Sequence, residues 1–124
     1  MKVLVVDDFE TMRKIIKNVL KQINLEDVLE AENGKQALNI LKNDGADLII
    51  SDWIMPEMTG IDFLKACKGD ETIRKIPFIM VTAEAQKDNI MEAIKSGVDN
   101  YIVKPFTPEK LREAIDKAKA KVGK

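Results

Sequence analysis

Residues 3–20 read VLVVDDFETMRKIIKNVL, and this stretch joins two different apolar patterns through a pair of acids. Val3 to Val6 is a short aliphatic run without alternation, the pattern of a strand buried on both faces. Beyond the acids, Met12, Ile15, Ile16, Val19, Leu20 and Ile23 fall on one helical face. A fully buried strand followed at once by an amphipathic helix is a βα unit, and such units build parallel sheets covered by helices.

The alternation recurs along the chain. Leu48 to Ile50 and Phe78 to Val81 repeat the buried-strand pattern, and Val28 to Ala31 and Tyr101 to Val103 repeat it more weakly. Leu111, Ala114, Ile115, Ala118 and Val122 share a second helical face. Asn33 with Gln36, and Thr59 with Asp62, have the spacing of capping boxes. Thr107-Pro108 places an N-cap residue before a first-turn proline, and Gly45, Gly69 and Gly97 stand where helices should stop. The expectation is an α/β fold with βα repeated five times, a doubly wound parallel sheet with helices on both faces. The 124 residues suit one domain spanning residues 1–124. The last helix is expected to run nearly to Lys124, which leaves no separate output domain, so any signal would leave through the domain's own surface.

Composition removes several function classes. Hydrophobic residues are 45%, enough for a core, while Lys and Arg nearly balance Asp and Glu at a net charge of −1. That balance lacks the basic footprint of a nucleic-acid binder. The chain has no histidine and a single cysteine, Cys67. It can form no Ser-His-Asp triad, no zinc finger, no phosphohistidine and no internal disulfide. The four-residue apolar run at the N-terminus is too short for a signal peptide or membrane span, so the expected address is the cytoplasm. Charge is uneven: residues 86–124 hold nine Lys or Arg against six Asp or Glu. This excess reads either as a solvated helix face or as a docking face for an acidic partner.

In a doubly wound sheet, sites form beyond the carboxyl ends of the strands. Those ends carry Asp7-Asp8, Ser51-Asp52, Thr82-Ala83 and Lys104-Pro105. Singly, each has an ordinary reading: a helix cap, a loop acid, a solvated lysine. Jointly, three acids converging without compensation would repel, and a divalent cation with a nearby lysine relieves the conflict. Oxygen ligands suit a hard ion such as Mg²⁺, which keeps several waters and is completed by phosphate oxygens. A carboxylate beside Mg²⁺ and lysine is set up as a phosphoryl acceptor.

The chain resembles the receiver domain of two-component response regulators, of the stand-alone chemotaxis type, over essentially its whole length. The residues that carry the resemblance are Val5-Val6-Asp7-Asp8-Phe9, Asp52-Trp53 with Met55-Pro56 and Gly60, Val81-Thr82-Ala83-Glu84-Ala85, and Tyr101 through Thr107. The resemblance implies a flavodoxin-like sheet in the order 2-1-3-4-5. It implies Asp52 as the phosphoacceptor, with Asp7, Asp8, Asp52 and the backbone carbonyl of Ile54 holding Mg²⁺. Thr82 would donate its hydroxyl to a phosphoryl oxygen, and Lys104, preceding a cis proline, would pair with that group or with Asp52. Tyr101 would move inward as Thr82 is drawn to the phosphate. Such a protein is a monomeric signalling protein that catalyses its own phosphorylation and slow dephosphorylation, not an enzyme with a separate substrate. Its implied partners are a histidine kinase, the flagellar motor switch protein and a phosphatase. The motor-facing surface would offer Lys87, Ile90, Ile94, Tyr101, Val103, Phe106 and Lys117.

One position departs from the pattern. Ile54 stands where the chemotaxis type carries asparagine, and an apolar side chain there should slow loss of the phosphoryl group. It also speaks against a dedicated phosphatase of the usual kind. Two other functions share parts of the reading. A receiver could relay phosphate or act as a phosphate sink without binding a motor. A haloacid-dehalogenase-type phosphatase also pairs an Asp nucleophile with Mg²⁺, but it needs a second acid where Asp7-Asp8-Phe9-Glu10-Thr11 has Phe9. No glycine-rich nucleotide loop is present.

Overall fold

The computed structural model describes residues 1–122, and side chains through residue 120. Five strands alternate with five helices: β1 (Val3–Val6), α1 (Glu10–Gln22), β2 (Val28–Ala31), α2 (Gly34–Asn43), β3 (Leu48–Ser51), α3 (Gly60–Lys68), β4 (Phe78–Thr82), α4 (Lys87–Lys95), β5 (Asn100–Val103) and α5 (Pro108–Val122). All strand pairs are parallel, in the order β2-β1-β3-β4-β5. The sheet order and the five βα repeats match the expectation. Strands β3 and β4 each run one residue further than the apolar runs, through Ser51 and Thr82, because the ladder continues under polar side chains that still face the interior. Val122, assigned to the apolar face of α5, and Lys124 lie outside the residues whose side chains are described.

Every residue of β1, β3 and β4 is buried, as central strands covered on both faces require. The two faces make two cores. One gathers Val3, Val5, Ile50 and Val81 with Ile16 and Leu20 of α1 and Leu111 and Ile115 of α5. The other gathers Leu4, Ile49 and Met80 with Ala37 of α2, Phe63 and Leu64 of α3 and Ala93 of α4. Phe63 and Phe78 meet with ring centroids 5.4 Å apart and planes tilted by 55°. Burying each ring contributes about 1.5–3 kcal/mol. Cys67 is buried in the second core, and burial pushes its thiol up to about 12, so it packs as a small apolar group.

Ile15 is a correction. It is 44% exposed, whereas Arg13 is buried on the same helix. Successive residues turn about 100° around a helix, so Ile16 toward the sheet sends Ile15 away from it. Arg13 joins Ile16, Val19 and Leu20 as the buried residues of the helix, and Met12 and Ile23 pack partly against the same core.

The caps follow the sequence signals. The Asn33 side chain accepts from the Gln36 amide at 2.8 Å, and the Gln36 side chain accepts from the Glu32 amide at 3.0 Å. Thr59 accepts from the Asp62 amide at 3.3 Å, and Thr107 from the Lys110 amide at 3.2 Å. Gly45 and Gly97 close α2 and α4 at φ of 73° and 101°, a region that penalises a Cβ. Gly69 ends α3 at an ordinary φ of −83°.

Candidate functional site

The site grows out of the pairing of β1 with β3. Their register sets Val6 opposite Ser51, so the next residue of each strand, Asp7 and Asp52, leaves the sheet side by side. The ladder extends into both: the Asp7 amide donates to the Ala31 carbonyl at 3.1 Å, and the Asp52 amide to the Val6 carbonyl at 3.0 Å. Both carboxylates are buried, at 1% and 5% exposure, while Asp8 stands exposed at the rim. One carboxylate oxygen from each of Asp7, Asp8 and Asp52 lies within 4.8 Å of the others.

Lys104 follows β5 and reaches across β4. Its Nζ lies 3.3 Å from Asp7 Oδ2 and 3.2 Å from Asp52 Oδ2. Its amide donates to the Thr82 carbonyl at 2.8 Å, and the bond to Pro105 is cis. Asp52 Oδ1 accepts from the amides of Trp53 at 2.7 Å and Ile54 at 3.3 Å. Asp7 Oδ1 accepts from the Phe9 amide at 2.9 Å. Burial pushes the Asp7 carboxyl above its ordinary value; the Phe9 amide and Lys104 pull the other way, and the neighbouring Asp52 charge adds to the rise. Three carboxylates against one ammonium leave an excess of negative charge in a partly dry site. The donor set is entirely oxygen, which fits a hard divalent cation and not a thiophilic one.

The backbone beneath Asp52 is held by a close approach. Gly60 opens α3, and its amide donates to the Trp53 carbonyl at 2.6 Å. A Cβ built on Gly60 would stand 2.1 Å from the Asp52 carbonyl oxygen and 2.6 Å from Trp53 Cα. Only glycine lets α3 start there without moving the acid.

Thr82 ends β4, fully buried, and its hydroxyl oxygen accepts from the Glu84 amide at 3.2 Å. The Tyr101 hydroxyl donates to the Glu84 carbonyl at 2.7 Å. Burial, with the Glu84 and Asp52 charges adding to it, pushes the Tyr101 phenol up to about 12, so it remains a donor at neutral pH. The segment at Glu84 is thus held from both ends, by a threonine at the site and by a tyrosine on the outer strand.

The residues expected on the partner face divide. Lys87, Ile94, Val103 and Lys117 are exposed, with Ile94 at 54% and Val103 at 37%. Ile90 and Tyr101 are half-buried, and Phe106 packs partly against the α1–α5 core. Tyr101, Val103, Lys110 and Lys117 line a groove of about 320 Å³ along β5. Ile54 is 59% exposed and Phe9 66% exposed at the rim of the acid cluster.

Sequence reasoning passed over Arg13. It is buried on α1, its Nη1 donates to the Asp7 carbonyl at 2.7 Å, and its Nε donates to Glu30 at 3.0 Å. The available signal was a basic residue in the same helical row as Ile16 and Leu20.

Residues 3–116 match the model of the response regulator receiver domain family. The chain is 50% identical over 117 residues to the chemotaxis protein CheY of Pseudomonas aeruginosa, covering 94% of each. It is equally 50% identical over 117 residues to the chemotaxis protein CheY1 of Helicobacter pylori, again covering 94% of each. The chemotaxis response regulator CheY4 of Vibrio cholerae superposes with a TM-score of 0.86 at 34% identity, over 94% of this chain and 97% of that one.

Proposed function

The chain belongs to the response regulator receiver family, and from that premise we propose that it is a phosphorylation switch of chemotaxis, taking a phosphoryl group onto Asp52. The observation that carries the reading is the convergence of Asp7, Asp8 and Asp52 with the Lys104 ammonium at the carboxyl edge of the sheet.

The chemistry follows from what each group does. An Asp52 carboxylate oxygen attacks the phosphorus of a phosphohistidine; the new O–P bond forms as the N–P bond breaks, and the electron pair returns to the imidazole. The Trp53 and Ile54 amides and Lys104 orient that carboxylate. Asp7, Asp8, Asp52 and the Ile54 carbonyl would hold Mg²⁺. When bound, the ion neutralises charge on the transferred oxygens. After transfer, the Lys104 ammonium and the Thr82 hydroxyl are the donors for those oxygens.

The same donors make the switch. The new group carries about −1.5 to −2 charges and strong acceptor oxygens. Drawing the Thr82 hydroxyl toward it loosens that hydroxyl's bond with the Glu84 amide and frees the Glu84 carbonyl and Tyr101 to rearrange. Reversing a two-state surface needs about 5 kcal/mol of differential stabilisation, and charge-assisted hydrogen bonds at about 1.5–3 kcal/mol each are of that size. The altered surface, around Ile94, Tyr101, Val103 and Lys117, would bind the flagellar motor switch protein. A peptide from the N-terminus of that protein should bind at least severalfold tighter after treatment with acetyl phosphate and Mg²⁺. Equal binding before and after would contradict a motor switch and favour a relay or phosphate sink.

Ile54 sets the lifetime. Its side chain stands exposed at the mouth of the site, where hydrolytic water must approach Asp52. Ile54→Asn places a polar group there, and the Asp52 phosphate should decay faster in that variant than in wild type, as read by loss of phosphorylated mass with time. Equal or slower decay in the variant would refute this role.

A further inference from the structure

A charge on the inward row of α1 is costly unless it is paired, so Arg13 has to be accounted for. Its guanidinium spans two elements. Nη1 donates to the Asp7 carbonyl at 2.7 Å, and Nε donates to Glu30 Oε1 at 3.0 Å. Glu30 sits on β2 opposite Val5 of β1, and its other oxygen accepts from Lys17 Nζ at 3.0 Å. Hydrogen bonds from Lys17 and Arg13 hold the Glu30 carboxyl below its ordinary value despite the opposing pull of burial.

We propose that Arg13 is a positioning residue for the cation site, fixing the Asp7–Asp8 peptide plane through the Asp7 carbonyl while Glu30 neutralises its charge. This deepens the metal-binding reading above and rests on it. Asp7 is then held at every polar atom: its amide by Ala31, its carbonyl by Arg13, one carboxylate oxygen by Phe9 and the other by Lys104. Asp8 differs. It is exposed, and among the described residues its carboxylate makes no hydrogen bond or ion pair. The direction in which Asp8 leaves the chain is set by the peptide plane that Arg13 grips. Lysine at position 13 would keep the charge but lose the fork that binds a carbonyl and a carboxylate together. Glu30 matters for a second reason. An uncompensated guanidinium beside the acids would repel a divalent cation, and the Glu30 carboxylate cancels that charge.

Groups that orient metal ligands typically change metal affinity by about 10–100-fold when replaced. The test is a Mg²⁺ titration of the intact protein, followed by backbone amide NMR shifts, on wild type, Arg13→Lys, Glu30→Gln and Ile16→Val. Ile16→Val controls for general loosening of α1, because Ile16 is buried on the same helix and packs in the apolar core. Urea unfolding without metal places the variants on one stability scale. The expected result is about 10-fold weaker Mg²⁺ binding in Arg13→Lys. Glu30→Gln should bind more weakly too, and Ile16→Val should stay within about twofold of wild type. Unchanged affinity in Arg13→Lys overturns the proposal, as does an equal loss in Ile16→Val at matched stability. If wild type itself binds no Mg²⁺, the metal-binding reading fails first and this proposal with it.

Discussion

Lys104→Met should destabilise the metal-free protein by about 3 kcal/mol, and Mg²⁺ should restore much of that loss. The lysine ammonium is the one positive group paired within 4 Å with the carboxylate of either Asp7 or Asp52 among the described residues. Those two carboxylates keep only 2% and 6% of their side-chain surface in water. Removing the counter-charge leaves two like charges in a nearly dry pocket, the case in which breaking a buried pair is most damaging. A divalent cation replaces the lost positive charge from the solvent side, where Asp8 is already exposed. Stabilisation by that route grows with the logarithm of metal concentration, by about 2.7 kcal/mol at a hundredfold excess over the dissociation constant. The measurement is urea unfolding of wild type and variant with and without Mg²⁺. An equal penalty in both buffers would mean that Lys104 acts through packing and not through charge. The variant should also lose the coupling between Asp52 and β5, since its amide bond to Thr82 remains while its link to the acids is gone.

Much of this architecture was legible because the signals were local. The run Val3 to Val6 and the row Ile16, Val19 and Leu20 each declare an element without help from distant residues. Once five such units are recognised, parallel pairing forces Asp7, Asp52, Thr82 and Lys104 to one edge of the sheet, and the structure places them there. What the sequence left unread depended on contacts across the chain. Ile15 and Arg13 both lie in α1, and periodicity favours the isoleucine as the inward residue. The outcome turns on Glu30, seventeen positions away on β2, and on a backbone carbonyl that no side-chain pattern reveals. Gly60 is a similar case. In the sequence it stands only as part of the family motif, and its need for no side chain comes from the Asp52 backbone pressed against it. The strand ends were short by one residue at Ser51 and Thr82 for the same reason: hydrophobicity ends before the ladder does.

The identity of the acceptor decides the whole account. Asp52 takes two backbone amides on one oxygen and Lys104 on the other. Asn in its place keeps the shape but removes the nucleophilic charge and one partner of Lys104, so phosphoryl transfer should be lost completely while the fold persists. Asp7 is buried with the same lysine and stands as the internal competitor for the role. The most direct measurement is the intact mass of wild type and Asp52→Asn after incubation with acetyl phosphate and Mg²⁺, beside the same incubation with Mg²⁺ removed by chelator. The expected result is gain of a single phosphoryl group in wild type with Mg²⁺, and none in the variant or in the chelated sample. Gain of the same mass by Asp52→Asn would contradict it.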